Sequence, residues 1–372
     1  MIGKILNNNS VQFKMKQSNK SLILNLLLTN GQTTRKKLAA LTNLTAATIT
    51  NLTNELINEQ LIVEVGTAES KVVRKGPKSI ILDLNPTHWT LGIHIRMDRM
   101  EIGFANLKGK AVKVENIPFS ANMAGNQLLD FKINKIMEYI QKNAEITAVS
   151  IGVVTYGLMK DDRRLALVKQ LERQFHLPVY MDHHVRAMTI AERMFGSYKD
   201  SKHFLVVYIG QGIGSGLTIN GQVYSNEASL GNQLGHMVYM PNGKPCKCGQ
   251  RGCIEQYVSE KLALEELNCS SIAAIIEKLK NNDEDCIHVL TKYGQYLGTV
   301  ISSFIHMIYV EKVILGGQLI FDNSPILTET QKYVDQSKLT NRQTSVVRSS
   351  FRDDAGVIAA ASIAFKKNIY TF

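Results

Sequence analysis

Two threonine-capped helices joined by a short turn, followed by two separate β-meanders with glycine turns, predict an α/β protein. The expected architecture is an N-terminal winged helix-turn-helix on a two-lobed actin-like ATPase (ribonuclease H-like) body. The first observation is a threonine standing just before each of two apolar-periodic segments. The second is a pair of alternating strands flanking a basic loop. The third is a change at Trp89 to strands and glycine turns, which recurs near Val206. The expected boundaries are 1–85 for the winged helix-turn-helix and linker, and 86–184 with 357–372 for the first lobe. Residues 185–356 then form the second lobe, with a cysteine-rich loop and a dimerisation surface.

Residues 21–28 read as a compact apolar helix ended by Asn30-Gly31. Thr33 or Thr34 caps a second helix, 35–41, with Leu38, Ala39 and Leu41 inward. Thr42-Asn43-Leu44 makes the turn, and Asn43 is a residue that tolerates positive φ. Thr45 caps a third helix, 46–58, whose apolar stripe is Ile49, Leu52, Leu56 and Ile57. In a helix-turn-helix the second helix of the pair enters the major groove. Here that helix offers Ala46, Ala47, Thr48, Thr50 and Asn51, small or polar side chains with no glutamate to repel phosphate. Methyl groups suit thymine and Asn suits an adenine edge. Thr34, Arg35 and Thr45, at the helix starts, complete the expected DNA-facing set.

Residues 61–65 and 79–84 alternate as strands around a loop holding Lys71, Arg74, Lys75 and Lys78, a basic wing for phosphates or the minor groove. A helical dimerisation module with a solvated basic loop is the competing reading. The charge is in keeping with a polyanionic partner. The chain of 372 residues carries a net +11, and its first 80 residues set Lys14, Lys16, Lys20, Arg35, Lys36, Lys37 and the wing cations against Glu55, Glu59, Glu64 and Glu69. No apolar run approaches the roughly 20 residues that span a bilayer. The N-terminus has no signal-peptide pattern, so a cytoplasmic protein is expected.

In the body, 91–95, 102–107 and 108–112 read as a meander, 126–141 as a helix and 149–154 as a buried strand. Residues 206–209 open a second meander through the glycine run 210–216. Cys246, Cys248 and Cys253 lie within eight residues, with His236 ten residues upstream of the first. Three thiolates and one imidazole make a closed tetrahedral Zn²⁺ shell with no open position for water, so the zinc is expected to be structural. Gly249 and Gly252 sit where a chain wrapping one ion needs left-handed turns. Unpaired core cysteines are the bland alternative, and Cys269 and Cys286 read as packed thiols.

These motifs, together with Gly235-His236, Cys246-x-Cys248-Gly249-x-x-Gly252-Cys253-x-Glu255 and Leu315-Gly316-Gly317, resemble those of the ROK family (repressors, open reading frames and kinases). The likeness is to its repressor branch, of xylose-repressor and N-acetylglucosamine-repressor type, and it spans essentially the whole chain. It implies a DNA-binding transcriptional regulator, a repressor of carbohydrate-related genes, with double-stranded operator DNA as partner. It implies a homodimer or dimer of dimers on an inverted repeat. The alternative is a ROK sugar kinase carrying an appended DNA-binding domain.

The resemblance also implies that phosphotransfer is lost, so no enzyme and no catalytic residue is expected. Where the kinases carry Asp-x-Gly-Gly-Thr, this chain has His94-Ile95-Arg96-Met97-Asp98. Where they carry an Asn-Asp pair it has His183-His184, and the Glu of Glu-x-Gly-His has become Gln233, beside Asn232. The loop after Tyr156 looks shortened. The implied effector residues are His183, His184, Asn232, Gln233, His236 and Glu255. Each buried group left unpaired costs about 1–3 kcal/mol, so ordinary aldose affinity should be gone. Two outcomes stay open: a pocket retuned to another ligand such as a sugar phosphate, or a vestigial one.

Overall fold

Capping and apolar periodicity produce the N-terminal head: α1 (Ile2–Asn30), β1 (Thr33–Thr34), α2 (Arg35–Thr42), α3 (Ala46–Asn58), β2 (Ile62–Thr67) and β3 (Ile80–Leu84). The computed structural model describes residues 2–67, 79–120, 125–155, 161–224, 233–336, 343–352 and 354–370, excluding the side chains of 2–11, 125–126 and 161–163. Thr34 Oγ1 accepts the Lys37 N–H at 3.3 Å and Thr45 Oγ1 accepts that of Thr48 at 3.2 Å, so both helices start where a hydroxyl satisfies a free backbone donor. Asn43 takes the left-handed conformation, φ 56°, that turns α2 into α3. Leu24, Leu27, Leu38, Ile49, Leu56, Ile62 and Leu82 bury the core beneath.

Two features of the head differ from expectation. The first helix begins far before residue 21. Lys16 Nζ lies 2.7 Å from Glu55 Oε1, and Lys20 Nζ lies 2.8 Å from Glu55 Oε2 and 2.6 Å from Glu59 Oε1, so ion pairs to α3 hold a stretch that apolar spacing leaves unmarked. Strand β1, two residues long, adds to β3 and gives the sheet order β1-β3-β2.

The body contains two five-stranded sheets of the same design. The first uses β4 (Trp89–Ile95), β5 (Arg99–Asn106), β6 (Ala111–Pro118), β7 (Ala148–Thr155) and β8 (Val179–His183), in the order β6-β5-β4-β7-β8. Between its strands come α4 (Gly125–Lys142) and α5 (Asp161–Phe175). After α6 (His184–Phe195), the second uses β9 (Phe204–Ile209), β10 (Ile213–Ile219), β11 (Gln222–Val223), β12 (Lys312–Gly316) and β13 (Ser345–Arg348), in the order β11-β10-β9-β12-β13. Each sheet is thus an antiparallel meander extended by a strand parallel to its first: β7 on β4, β12 on β9. The helices α7 (Glu260–Glu266), α8 (Ile272–Lys280), α9 (Glu284–Met307) and α10 (Pro325–Asp335) precede β13, and α11 (Ala355–Asn368) follows it.

The chain divides into two compact units, Met1–Asp182 with Gly356–Phe372, and His183–Ala355. The head therefore clusters with the first sheet. In that unit α11 lies so close to the sheet that a Cβ on Gly92 would stand 2.3 Å from Val357 O, and one on Gly152 would stand 1.9 Å from Ala360 O. Leu91, Ile93, Ile102, Phe104, Ile151 and Val153 form its core. The second unit buries Leu205, Val207, Leu290, Leu297, Val313 and Leu315. Among the described residues no helix is long and apolar enough to cross a membrane.

Candidate functional site

The cysteine-rich segment folds as a knuckle in the second unit. Backbone bonds close it: Cys246 N–H to Gln250 O at 2.9 Å, Gly252 N–H to Lys244 O at 2.8 Å and Ile254 N–H to Met237 O at 2.9 Å. Gly249 and Gly252 have φ of 90° and 81°, and a Cβ on Gly252 would meet Met240 O at 1.7 Å. Tyr257 Oη accepts the Lys244 N–H at 2.8 Å and braces the loop from behind. His236 ends a short 3₁₀ turn, Leu234–His236. Gly235 is required there, because a Cβ would stand 2.3 Å from Ile213 O.

The result brings together all four expected ligands. One donor atom each from His236, Cys246, Cys248 and Cys253 lies within 4.8 Å of the others. Cys246 Sγ is 3.4 Å from His236 Nδ1, and Cys248 Sγ is 3.6 Å from Cys253 Sγ. A tetrahedral ion with metal–sulfur bonds of about 2.3 Å needs edges a little under 4 Å, so the donor set fits a metal. Burial, and then the neighbouring Cys248 and Cys246, push the Cys253 thiol up to about 12. Metal binding requires the thiolate form, so a bound cation would offset what burial costs Cys253.

Glu255 adjoins the cluster. Its Oε1 is 3.8 Å from His236 Nδ1 and 3.4 Å from Lys247 Nζ, while Oε2 accepts the Ile213 N–H at 3.4 Å. The pairing with Lys247 was not anticipated, although a cation two residues before Gly249 was visible as a signal. Of the residues expected to face an effector, His236 and Glu255 stand side by side. Gln233 sits exposed immediately before the 3₁₀ turn. His183 is half-buried at the N-cap of α6. His184, the first residue of α6, is buried, with its ring edge-on to that of Tyr208 on β9 at 4.4 Å between centroids. Asn232 and Tyr156 lie outside the described residues.

Two glycines of the run 210–216 are required by packing. Gly214 and Gly216 lie under α6, where a Cβ would stand 2.3 Å from Val185 Cγ2 and 1.9 Å from Thr189 Oγ1. In the other unit, the end of β4 and the start of β5 carry a buried charge cluster. His94 Nδ1 is 2.9 Å from Glu101 Oε2, and Arg96 Nη1 is 3.5 Å from Glu101 Oε1. Burial opposes ionisation of Glu101, but the His94 hydrogen bond and the nearby Arg96 and Arg99 charges outweigh it and hold this carboxyl below its usual range.

On the head, Ala46, Ala47, Thr50 and Asn51 are exposed along one face of α3, continued by Asn54 and Asn58. Thr34 and Thr45 act as caps, and Thr48 Oγ1 bonds the Thr45 hydroxyl at 2.9 Å. Arg35 turns inward: Nε donates to Thr53 Oγ1 at 2.9 Å, and Nη2 reaches Asn54 Oδ1 at 3.1 Å and Glu64 Oε1 at 3.0 Å. Lys36 and Lys37, not singled out as contacts beforehand, stand exposed at the start of α2. The wing cations Lys71, Arg74, Lys75 and Lys78 lie outside the described residues.

The family model described as ROK family matches residues 90–367 of this chain. The chain belongs to the ROK family. Among ROK relatives, the xylose repressor of Bacillus subtilis (strain 168) is 26% identical over 370 residues, covering 94% of this chain and 95% of its own. The crystal structure of a ROK family transcriptional regulator, a homolog of the E. coli MLC protein, superposes with a TM-score of 0.78 at 24% identity, over 94% of this chain and 95% of its own. A ROK family glucokinase from Streptomyces griseus, in complex with glucose and AMPPNP, superposes with a TM-score of 0.62 at 18% identity, over 73% of this chain and 98% of its own. The ROK body accordingly has the sugar-kinase-like α/β fold expected from the two meanders.

Proposed function

We propose that this ROK protein is a DNA-binding transcriptional repressor of carbohydrate-related genes whose body no longer phosphorylates sugars. The observation that carries the reading is the acid-free exposed face of α3. Glu55 of α3 and Glu59 at its C-cap are held by Lys16 and Lys20 of α1, so Ala47, Thr50, Asn51, Asn54 and Asn58 meet solvent without a carboxylate among them. The head is read as a winged helix-turn-helix with α3 in the major groove. Asn51 suits an adenine edge. Thr50 Oγ1 bonds Ala46 O at 2.9 Å, which leaves its methyl to meet thymine. Lys36 and Lys37, with Lys71, Arg74, Lys75 and Lys78 of the wing, are assigned to phosphates, and Arg35 holds α2 against α3 and β2. The printed names of relatives such as the xylose repressor support this reading.

The His94–Glu101–Arg96 cluster supports the loss of kinase activity. A phosphate approaching this turn needs bare backbone, and here it meets two long side chains and a buried carboxylate. At the knuckle, the ion is assigned as Zn²⁺ held by His236, Cys246, Cys248 and Cys253. It supplies a fixed cross-link between the 3₁₀ turn and the knuckle, with no open coordination position. Gln233, His236, Glu255 and His183, with Asn232, are proposed to read a sugar-type effector. Two chains are proposed to bind an inverted repeat, their reading helices about one helical turn apart.

Fluorescence anisotropy on a fragment of the gene's own promoter tests the reading. Binding should prefer that fragment over random DNA and weaken steeply with salt. Equal, salt-insensitive affinity for both would refute it, and coupled ATP turnover on any hexose would instead favour the kinase.

A further inference from the structure

We propose that Asp83 is a positioning residue that locks the head onto the first sheet of the body, so that head and sheet move as one piece. The consequence drawn for DNA rests on the reading of the head given above, but the lock itself does not. Modules joined by a short segment swivel by default unless something holds them. Asp83 lies on β3, inside the head, and its carboxylate is buried. Oδ1 accepts the Leu84 N–H at 2.8 Å. Oδ2 accepts Gln32 Nε2, from the turn between α1 and β1, at 3.1 Å, and Lys108 Nζ, from the turn between β5 and β6, at 2.7 Å. One carboxylate therefore joins the start of the helix-turn-helix, the wing strand and the body sheet.

The neutral contacts around it cannot replace this link. Asn106 Nδ2 donates to Pro86 O at 3.1 Å, and Asn106 Oδ1 accepts the Lys108 N–H at 3.1 Å, which sets the turn that presents Lys108. On another side, Ser21 Oγ of α1 donates to Ile369 O at 2.9 Å, just beyond α11. Between head and sheet, Asp83–Lys108 is the ion pair among the described residues, and a half-buried ion pair with three donors on one carboxylate is strongly directional. Losing Lys108 would leave a buried charge uncompensated. A locked head fixes the direction in which each chain of a dimer presents α3, and hence the half-site spacing that both can reach together.

Distances between nitroxide labels, attached through p-acetylphenylalanine at Asn58 of α3 and Asp130 of α4, test the lock in the full chain without touching the metal cysteines. With doubly labelled chains diluted into an excess of unlabelled ones, so that only distances within one chain are read, the parent sequence should give one narrow distribution. Asp83→Asn keeps the acceptor for Gln32 but drops the charge, and should broaden the distribution about twofold. Should Asp83→Asn fail to fold, Lys108→Gln, at an accessible side chain, is expected to broaden it likewise. Distributions as narrow in the folded variants as in the parent would overturn the proposal, whether or not the protein binds DNA. On DNA, the same variants should tolerate half-sites moved by a base pair or more, and an unchanged spacing preference would also count against the lock.

Discussion

Arg35 of α2 closes on Glu64 of β2, its Nη2 3.0 Å from Oε1, while its Nε holds Thr53 of α3. The guanidinium fork of Arg35 thus ties α2 to both α3 and β2. Arg35→Lys should therefore behave almost like Arg35→Ala, because an ammonium cannot reproduce the fork. Each should cost about 1 kcal/mol of stability, read as a fall in melting temperature, with weaker promoter binding in step. A lysine variant with parental affinity and a lower melting point would argue for a phosphate contact after all.

Asn51 and Lys36 should separate sequence reading from charge. Asn51→Ala should cost about 1–3 kcal/mol on the preferred site and little on random DNA. Lys36→Ala should weaken both equally and lower the salt slope by about one. Anisotropy titrations on the two DNAs at several salt concentrations distinguish these outcomes.

The knuckle should contain one zinc per chain by metal analysis. Cys253→Ser, at a fully buried ligand, should abolish it and lower the second unit's melting temperature by about 10 °C, as expected for a loss of about 3 kcal/mol or more. A variant that kept both the metal and the melting point would remove Cys253 from the ligand set.

Glu192 of α6 introduces a pH dependence. Burial raises its carboxyl above the usual range, against hydrogen bonds from Ser349 Oγ at 2.6 Å and Ser350 N–H at 2.9 Å that lower it. As pH rises past the ordinary glutamate value of about 4.3, the unfolded chain releases this proton while the folded chain keeps it. Stability therefore falls with pH until the folded group ionises as well. Glu192→Gln retains an acceptor for both serines and cannot ionise. Its melting temperature, compared with the parent's, should gain as pH rises from about 4 and level off once the folded Glu192 ionises. A difference independent of pH would show that Glu192 does not titrate in this way.

Short-range chemistry was legible in the residues alone. The capping threonines of α2 and α3, the left-handed Asn43, the alternating strands of both meanders and the Cys/His spacing all act within a few residues, so composition and spacing carry them. The acid-poor face of α3 was also visible, since it depends only on helical period. What the sequence could not assign is where long side chains end up. The extension of α1 depends on Lys16 and Lys20 meeting Glu55 and Glu59 some 39 residues away. The inward turn of Arg35, the burial of His184 against Tyr208, the Lys247–Glu255 pair and the Asp83–Lys108 link likewise join residues by the packing of separate elements. A flexible side chain takes the partner that tertiary structure places within its reach, and no local pattern encodes that choice.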